Sequence, residues 1–177
     1  MSCWCQRFRQ HQEPDNRAAL AQEIRSAPIP VGLLAYREQD NTPIGWTRVV
    51  PRATLPGVLS NRAITAVVGD DPHAWWVSCF VVRREHRGQG VGVAMLQAAA
   101  DWAAQHGASL LDGHPVDIDK VMGPPSPAAT FTGTLAMFQR AGFLEIGRTY
   151  KTRPVMRRTF QPSGEHIAAE QVRRHSR

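Results

Sequence analysis

The residues best suited to chemistry form a glycine-rich turn, Arg87-Gly88-Gln89-Gly90-Val91-Gly92. An apolar run from Trp75 to Val82 precedes it, and a segment with apolar residues every three or four positions follows it to His106. A strand, a glycine turn and a helix start in this order favour phosphate binding, because the first amides of a helix lack partners and carry the positive end of its dipole. We therefore expect a phosphate-containing ligand at this turn.

Two common phosphate-binding loops do not fit the spacing. A P-loop needs a lysine directly after its last glycine, and the only lysines, Lys120 and Lys151, lie far from the turn. A dinucleotide-binding turn needs Gly-x-Gly-x-x-Gly, but Val93 stands where the third glycine would follow Gly88 and Gly90. The turn instead matches the pattern Arg/Gln-x-x-Gly-x-Gly/Ala.

A second block supports the same interpretation from another part of the chain. Phe138 precedes Gly142-Phe143 by four residues, at the end of a predicted helix with a glycine C-cap. In this order the two blocks resemble the acetyl-CoA loop and the second hallmark of the GNAT superfamily of N-acetyltransferases. The resemblance covers Ala74 to Phe160. It implies an α/β (α+β) fold, with a splayed, mostly antiparallel central sheet flanked by helices.

The resemblance also implies a donor site for acetyl-CoA. The pantetheine arm is expected along the end of the strand before the turn, where an amide near Phe80 or Val81 polarises the thioester carbonyl. The pyrophosphate is expected on the amides of the turn itself. The implied donor-binding residues are Phe80, Val81, Val82, Arg87, Gly88, Gln89, Gly90, Val91, Gly92, Val93 and Phe138.

The groups that move protons are less clearly marked. In the family, the position of Phe138 is often a tyrosine that serves the CoA sulfur, and phenylalanine has no proton to give. The alternative proton donors are a bound water, Tyr150, Ser126, Thr130, Thr132 and Thr134. The side chains that would accept a proton from an amine are His73, Asp112, His114, Asp117 and Asp119. From these groups we select Tyr150, Asp112 and His114 as catalytic candidates, against the alternative that each is a turn or loop residue.

Composition limits the partners of the chain. The formal net charge of +6 suits the phosphates of CoA and those of nucleic acid equally, but no nucleic-acid-binding motif accompanies it, so we do not expect nucleic acid as a partner. No apolar run reaches membrane-spanning length and the start lacks a signal-peptide pattern, which predicts a cytoplasmic protein without a membrane partner. Cys3-Trp4-Cys5 has no second ligand pair, so we expect no metal, and Cys79 is interpreted as a buried apolar residue.

The elements that must position these groups follow from periodicity and turn residues. We predict helices at 14–24, 90–106 and 134–141, and a long loop at 113–133. We predict an irregular connection at 55–61 and strands at 31–37, 44–50, 64–68, 73–82, 108–112, 143–149 and 154–160.

These predictions describe one acyltransferase domain over residues 1–160 and a basic tail over 161–177 that is frayed or weakly helical. The expected activity is direct transfer of an acetyl group from acetyl-CoA to a primary amine of a small molecule or peptide. The alternatives are transfer from another acyl-CoA and a catalytically silent, acyl-CoA-binding regulator. A homodimer remains open.

Overall fold

A six-stranded sheet organises the protein, whose computed structural model describes residues 16–123 and 130–161. The strand order is β1-β2-β3-β4-β6-β5, and every neighbouring pair is antiparallel except β3 and β4, which run parallel. The expected mostly antiparallel sheet is therefore confirmed. The strands are β1 (Gly32–Tyr36), β2 (Pro43–Pro51), β3 (Ala74–Val82), β4 (Leu110–Gly113), β5 (Leu144–Tyr150) and β6 (Arg153–Thr159).

Helices cover both faces of this sheet. They are α1 (Asn16–Ser26), α2 (Pro56–Leu59), α3 (Arg62–Val68), α4 (Val91–Gln105) and α5 (Leu135–Arg140). Because side chains alternate along a strand, Trp75 joins the apolar cluster beneath α4 and α5, whereas Trp76 joins the cluster beneath α2 and α3. Both tryptophans are buried, one in each of the two cores.

A buried ion pair attaches α1 to the sheet. The guanidinium of Arg48 on β2 donates from Nη1 to Oε2 of Glu23 at 2.7 Å, and Arg48 is only 1% exposed. Removing one partner of such a pair would leave an uncompensated buried charge, which costs about 3–5 kcal/mol. The pair therefore fixes α1 over the strand that lies next to β3.

The prediction of a strand at 64–68 is wrong, because these residues lie in α3. Their β-branched side chains favour a strand, but Oδ1 of Asn61 accepts hydrogen bonds from the amides of Ala63 and Ile64 and caps a helix. Ile64 and Val68 then point into the core from the same helical face. The connection predicted as irregular at 55–61 also contains a helical turn, α2, which begins with Pro56 at its first position.

The other predicted helices and strands are confirmed to within a few residues at their ends. Cys3-Trp4-Cys5, Ser126 and residues 162–177 of the predicted tail lie outside the described residues. Among the helices of the described ranges, none combines the length and apolar character needed to cross a bilayer.

Candidate active site

An opening between β3 and β4 forms the centre of the candidate site. The two strands pair only from Ala74 with Leu110 to Val77 with Gly113, after which β4 ends and β3 continues to Val82. The opening is defined here as the space beside Ser78–Val82 that β4 leaves. A sheet normally satisfies its backbone groups through the neighbouring strand, so the end of β3 presents groups that another partner must satisfy.

A β-bulge lies at the start of this opening. Arg48 of β2 is opposite Cys79 and Val49 is opposite Val77, so Ser78 is an extra residue in β3. Bulges bend a strand and increase its twist, and this one lies one residue beyond the last pair with β4. Spacing in the sequence does not reveal it, because the apolar run continues through the bulge.

The glycine turn follows β3 directly and is built for left-handed backbone. Gly88 has φ +74° and Gly90 has φ +83°, conformations that favour glycine, and a Cβ on either would meet no atom within 4 Å. Gly90 is the N-cap of α4 and supplies no side-chain cap, so the first amides of the helix remain available to an external acceptor. The turn thus presents backbone donors at an open surface.

Two exposed side chains of the turn hydrogen-bond to nearby backbone carbonyls. Nε of Arg87 donates to the carbonyl of Val82 at 3.0 Å, and Nε2 of Gln89 donates to the carbonyl of Glu85 at 2.9 Å. Gly92 has a separate function, because a Cβ there would lie 2.8 Å from Sδ of Met137 on α5. The third glycine of the motif therefore allows two helices to approach, while the first two shape the turn.

A short segment, residues 130–134, occupies the opening and is called the strap below. The amide of Phe80 on β3 donates to the carbonyl of Phe131 at 2.7 Å. On the other side, the amide of Val116 donates to the carbonyl of Gly133 at 3.0 Å, and Val116 forms a parallel bridge with Thr134. The strap therefore lies between β3 and the chain that follows β4, in the position of an additional strand.

Phe138 closes the space beneath the strap. Its ring is fully buried and packs edge-on against Phe80 and Phe143, with ring centroids 6.2 and 5.1 Å away. A Cβ on Gly113 or Gly133 would lie 2.4 Å from Cε1 or 3.0 Å from Cε2 of this ring. Phe138 thus has the surroundings of a core residue next to the opening.

Among the three catalytic candidates, His114 lies beside the opening, directly after Gly113. Its Nε2 is 2.7 Å from Oγ1 of Thr149 on β5, and the residue is 5% exposed. Burial, followed by the positive charge of Arg153, lowers the pKa of His114 to about 4. The imidazole is therefore neutral at pH 7.

Asp112 has a different environment, because both of its oxygens are engaged by arginines. Nε of Arg157 donates to Oδ1 at 2.7 Å, while Nη2 of Arg157 and Nη1 of Arg52 donate to Oδ2 at 2.8 and 3.1 Å. Burial raises the pKa of the carboxyl and the arginines oppose that rise. The same arginines bind the carbonyls of Val68 and Gly69, so the cluster ties the end of α3 to the sheet.

Tyr150 ends β5, which β4 and β6 separate from β3. Three strand spacings amount to about 14 Å, beyond the reach of a phenol, and Tyr150 is 66% exposed. The structure therefore does not bring Tyr150 together with the donor strand.

The other proton-transfer candidates are engaged or distant. Asp117 is paired with Arg148 at 2.7 Å, which lowers the pKa of its carboxyl, and the side chain of Thr134 caps α5. His73 precedes β3, at the end opposite the opening. Burial raises the pKa of the Cys79 thiol to about 12, in keeping with its interpretation as a buried apolar residue.

Sequence reasoning missed the partners that surround His114. Thr149 is 35 residues from His114, and Arg153 donates from Nη1 to Oγ1 of Thr132, 21 residues away, at 2.9 Å. No local spacing relates these positions, because three separate segments bring them together. The polar cluster around His114 is therefore a product of tertiary structure, and Thr132 links Arg153 of this cluster to the strap.

Comparison with known proteins agrees with this geometry. A GCN5-related N-acetyltransferase from Kribbella flavida is 22% identical with a TM-score of 0.52, and covers 85% of this chain and 82% of its own. A ribosomal-protein-alanine N-acetyltransferase from Brucella melitensis is 18% identical with a TM-score of 0.52, with coverages of 82% and 77%. A phosphinothricin acetyltransferase from Sinorhizobium meliloti, solved with AcCoA, is 16% identical with a TM-score of 0.50, with coverages of 85% and 76%. At these identities the likeness establishes the fold.

No curated protein sequence matches the chain. A profile of the acetyltransferase (GNAT) family, however, matches residues 2–115, nearly two thirds of the chain. The matched region contains β3, the glycine turn, α4 and β4. The splayed sheet and this match lead to one conclusion: the chain belongs to the GNAT acetyltransferase family.

Proposed function

We propose that this protein transfers an acetyl group from acetyl-CoA directly to a primary amine of a small molecule or peptide. One observation carries the proposal: the end of β3, beyond its last pair with β4, leads into a turn whose left-handed Gly88 and Gly90 open a helix without a side-chain cap. Backbone donors of this kind suit a pyrophosphate, and the strand edge suits an extended amide-containing arm. The family uses acetyl-CoA, and one structural relative was solved with it.

The residues proposed to hold the donor act mainly through their backbone. Phe80, Val81 and Val82 would bind the pantetheine arm, and the amides of Gly88–Val93 would bind the pyrophosphate. Phe138 would support the arm from beneath without contributing a proton. When bound, acetyl-CoA supplies a thioester whose carbonyl carbon accepts an amine and whose sulfur leaves. The amide of Phe80 would stabilise the charge that develops on the carbonyl oxygen, an effect worth about 3 kcal/mol.

We propose His114 as the group that moves the proton. A neutral imidazole accepts the proton that the amine loses as its nitrogen bonds to the carbonyl carbon. The resulting imidazolium then returns that proton to the departing sulfur, so amine and thioester become amide and thiol without a net change in protons. Burial makes His114 a weak base, but it makes the imidazolium a ready acid. Thr149 would orient the ring through Nε2.

Asp112 and Tyr150 receive different roles in this proposal. Asp112 would stabilise the fold by holding Arg52 and Arg157, since neither carboxylate oxygen is free of them. Tyr150, at the edge strand, would face solvent or the acceptor rather than the CoA sulfur. The loss of the family tyrosine at Phe138 is then compensated by the return of the proton from His114.

A panel of amines tests the proposed activity. Release of free thiol from acetyl-CoA is measured with amino acids, aminoglycosides, polyamines and peptides that have free N-termini, and a no-acceptor reaction is the control. Turnover with one class supports the enzyme and identifies its acceptor. Tight binding of CoA without turnover across the panel would instead favour a regulator, the alternative raised by the phenylalanine at position 138. Repeating the assay with propionyl- and succinyl-CoA distinguishes the acyl donor.

A further inference from the structure

We propose that the strap, residues 130–134, is a built-in competitor for the donor arm, so that acetyl-CoA binds only by displacing it. The proposal rests on the proposed function for the identity of the ligand, and it concerns how access to that same site is controlled. It starts from the Phe80 amide, which already donates to the Phe131 carbonyl at 2.7 Å.

The strap and the donor arm need the same backbone group. An amide nitrogen 2.7 Å from a carbonyl oxygen already has its acceptor, and a second oxygen cannot approach the same N–H along the same line. The Phe131 carbonyl therefore stands where the thioester carbonyl would accept a hydrogen bond from Phe80. Occupation of one position excludes occupation of the other.

Contacts on the far side hold the strap in place. The amide of Leu135 donates to the carbonyl of Val116 at 2.8 Å, and the amide of Val116 donates to the carbonyl of Gly133 at 3.0 Å. The guanidinium of Arg153 donates to the hydroxyl of Thr132, a residue only 3% exposed. These bonds join the strap to β6 and to the chain after β4, and they hold it in the opening.

This arrangement has a quantitative consequence. When only a fraction of the molecules is in the binding-competent state, the apparent dissociation constant equals the intrinsic one divided by that fraction. A change that loosens the strap should therefore tighten acetyl-CoA binding. It should leave unchanged a ligand that uses the glycine turn but has no arm. ADP is such a ligand, because it has a pyrophosphate and no pantetheine.

Hydrogen exchange on the full chain tests the displacement. With saturating acetyl-CoA, the amides of Val116 and Leu135 should exchange at least about tenfold faster, because their hydrogen bonds join the strap and the residue after it to the chain that follows β4. With saturating ADP their exchange should not change. If acetyl-CoA binds and these amides exchange at the same rate or more slowly, the proposal is overturned.

A matched pair of variants provides the second test. Thr132→Val removes the hydroxyl that Arg153 binds and should lower the dissociation constant of acetyl-CoA roughly three- to tenfold, with that of ADP unchanged. Thr65→Val, the same exchange on the exposed face of α3, is the control and should change neither. Equal changes for both ligands, or none, would refute the competition. Absence of CoA binding by the wild-type chain would refute the proposed function and this inference with it. The wild-type exchange experiment does not depend on how well the variant folds.

Discussion

The two sides of the opening differ in how they present chemical groups. In the proposed function the β3 side acts through its backbone, in the amide of Phe80 and the turn around Gly88 and Gly90, whose shape is set within a dozen residues. The side after β4 would act through side chains, of which His114 depends on Thr149 and Arg153 from other strands. On this proposal donor recognition is encoded locally, whereas proton transfer requires the assembled fold.

The largest expected effect is on the backbone side. Gly90→Asp would place a carboxylate where the proposed pyrophosphate lies, and like charges in contact cost several kcal/mol. We expect CoA affinity to fall at least about 1,000-fold by calorimetry, with little change in Tm because asparagine and aspartate tolerate left-handed backbone. Gly90→Asn is the matched control, because it adds a side chain of the same size at the same open position without the negative charge, and it should lose far less affinity. Retained affinity in Gly90→Asp would show that the turn does not bind the donor.

The next effect distinguishes a structural carboxylate from a catalytic one. Asp112→Asn removes the counter-charge of Arg52 and Arg157 and should lower the free energy of unfolding by about 3 kcal/mol. In the folded fraction, kcat should remain near the wild-type value. Urea denaturation measures the free energy of unfolding and the thiol-release assay measures kcat. Asp101→Asn, at an exposed site, is the control: it should change the free energy of unfolding by no more than about 0.5 kcal/mol and leave kcat unchanged. A large fall in kcat with unchanged stability would make Asp112 the base.

On the side after β4, His114→Gln should lower kcat about 100-fold, which is the lower end of the range for loss of a general acid–base group. Affinity for CoA should stay within about twofold, because the donor is held across the opening by backbone groups. His73→Gln, at the other end of β3, is the control and should be active. A variant of His114 that weakens CoA binding and leaves kcat unchanged would contradict the division between the two sides.

The smallest effect is on stability in acid. The pKa of His114 is lowered from its ordinary value of 6.5 to about 4 in the folded state. Between pH 6.5 and pH 4 the unfolded chain therefore binds more protons than the folded one. The contribution of His114 to the free energy of unfolding is therefore fully present above about pH 6.5. It is lost as the pH falls, and at pH 5 the loss is about 2 kcal/mol. Thermal unfolding of wild type and His114→Gln from pH 7.5 to 5 measures this difference. Parallel curves for the two proteins would show that His114 does not titrate as expected.

The same contrast explains what the sequence predicted. The turn, α4 and the strands around them were predictable because glycine spacing and apolar periodicity are local signals. Residues 64–68 were not, since their β-branched composition favours a strand and only the cap at Asn61 starts α3. The arginine pairs of Asp112 join residues 45 and 60 positions apart, and no spacing rule connects them. The hydrogen bond from the Phe80 amide to the Phe131 carbonyl likewise joins two distant segments, so the sequence does not indicate it.

The packing of Phe138 has a consequence for substitution. The ring is fully buried, and its Cζ would lie 2.6 Å from a Cβ on Gly113. A tyrosine here would add an oxygen at Cζ of a buried ring, and overpacking of this kind costs about 1–3 kcal/mol. The same ring leaves no room for a Cβ on Gly113, and a Cβ on Gly133 would lie 3.0 Å from it. Substitutions at the three positions should therefore be non-additive, because each changes the space that the other two share.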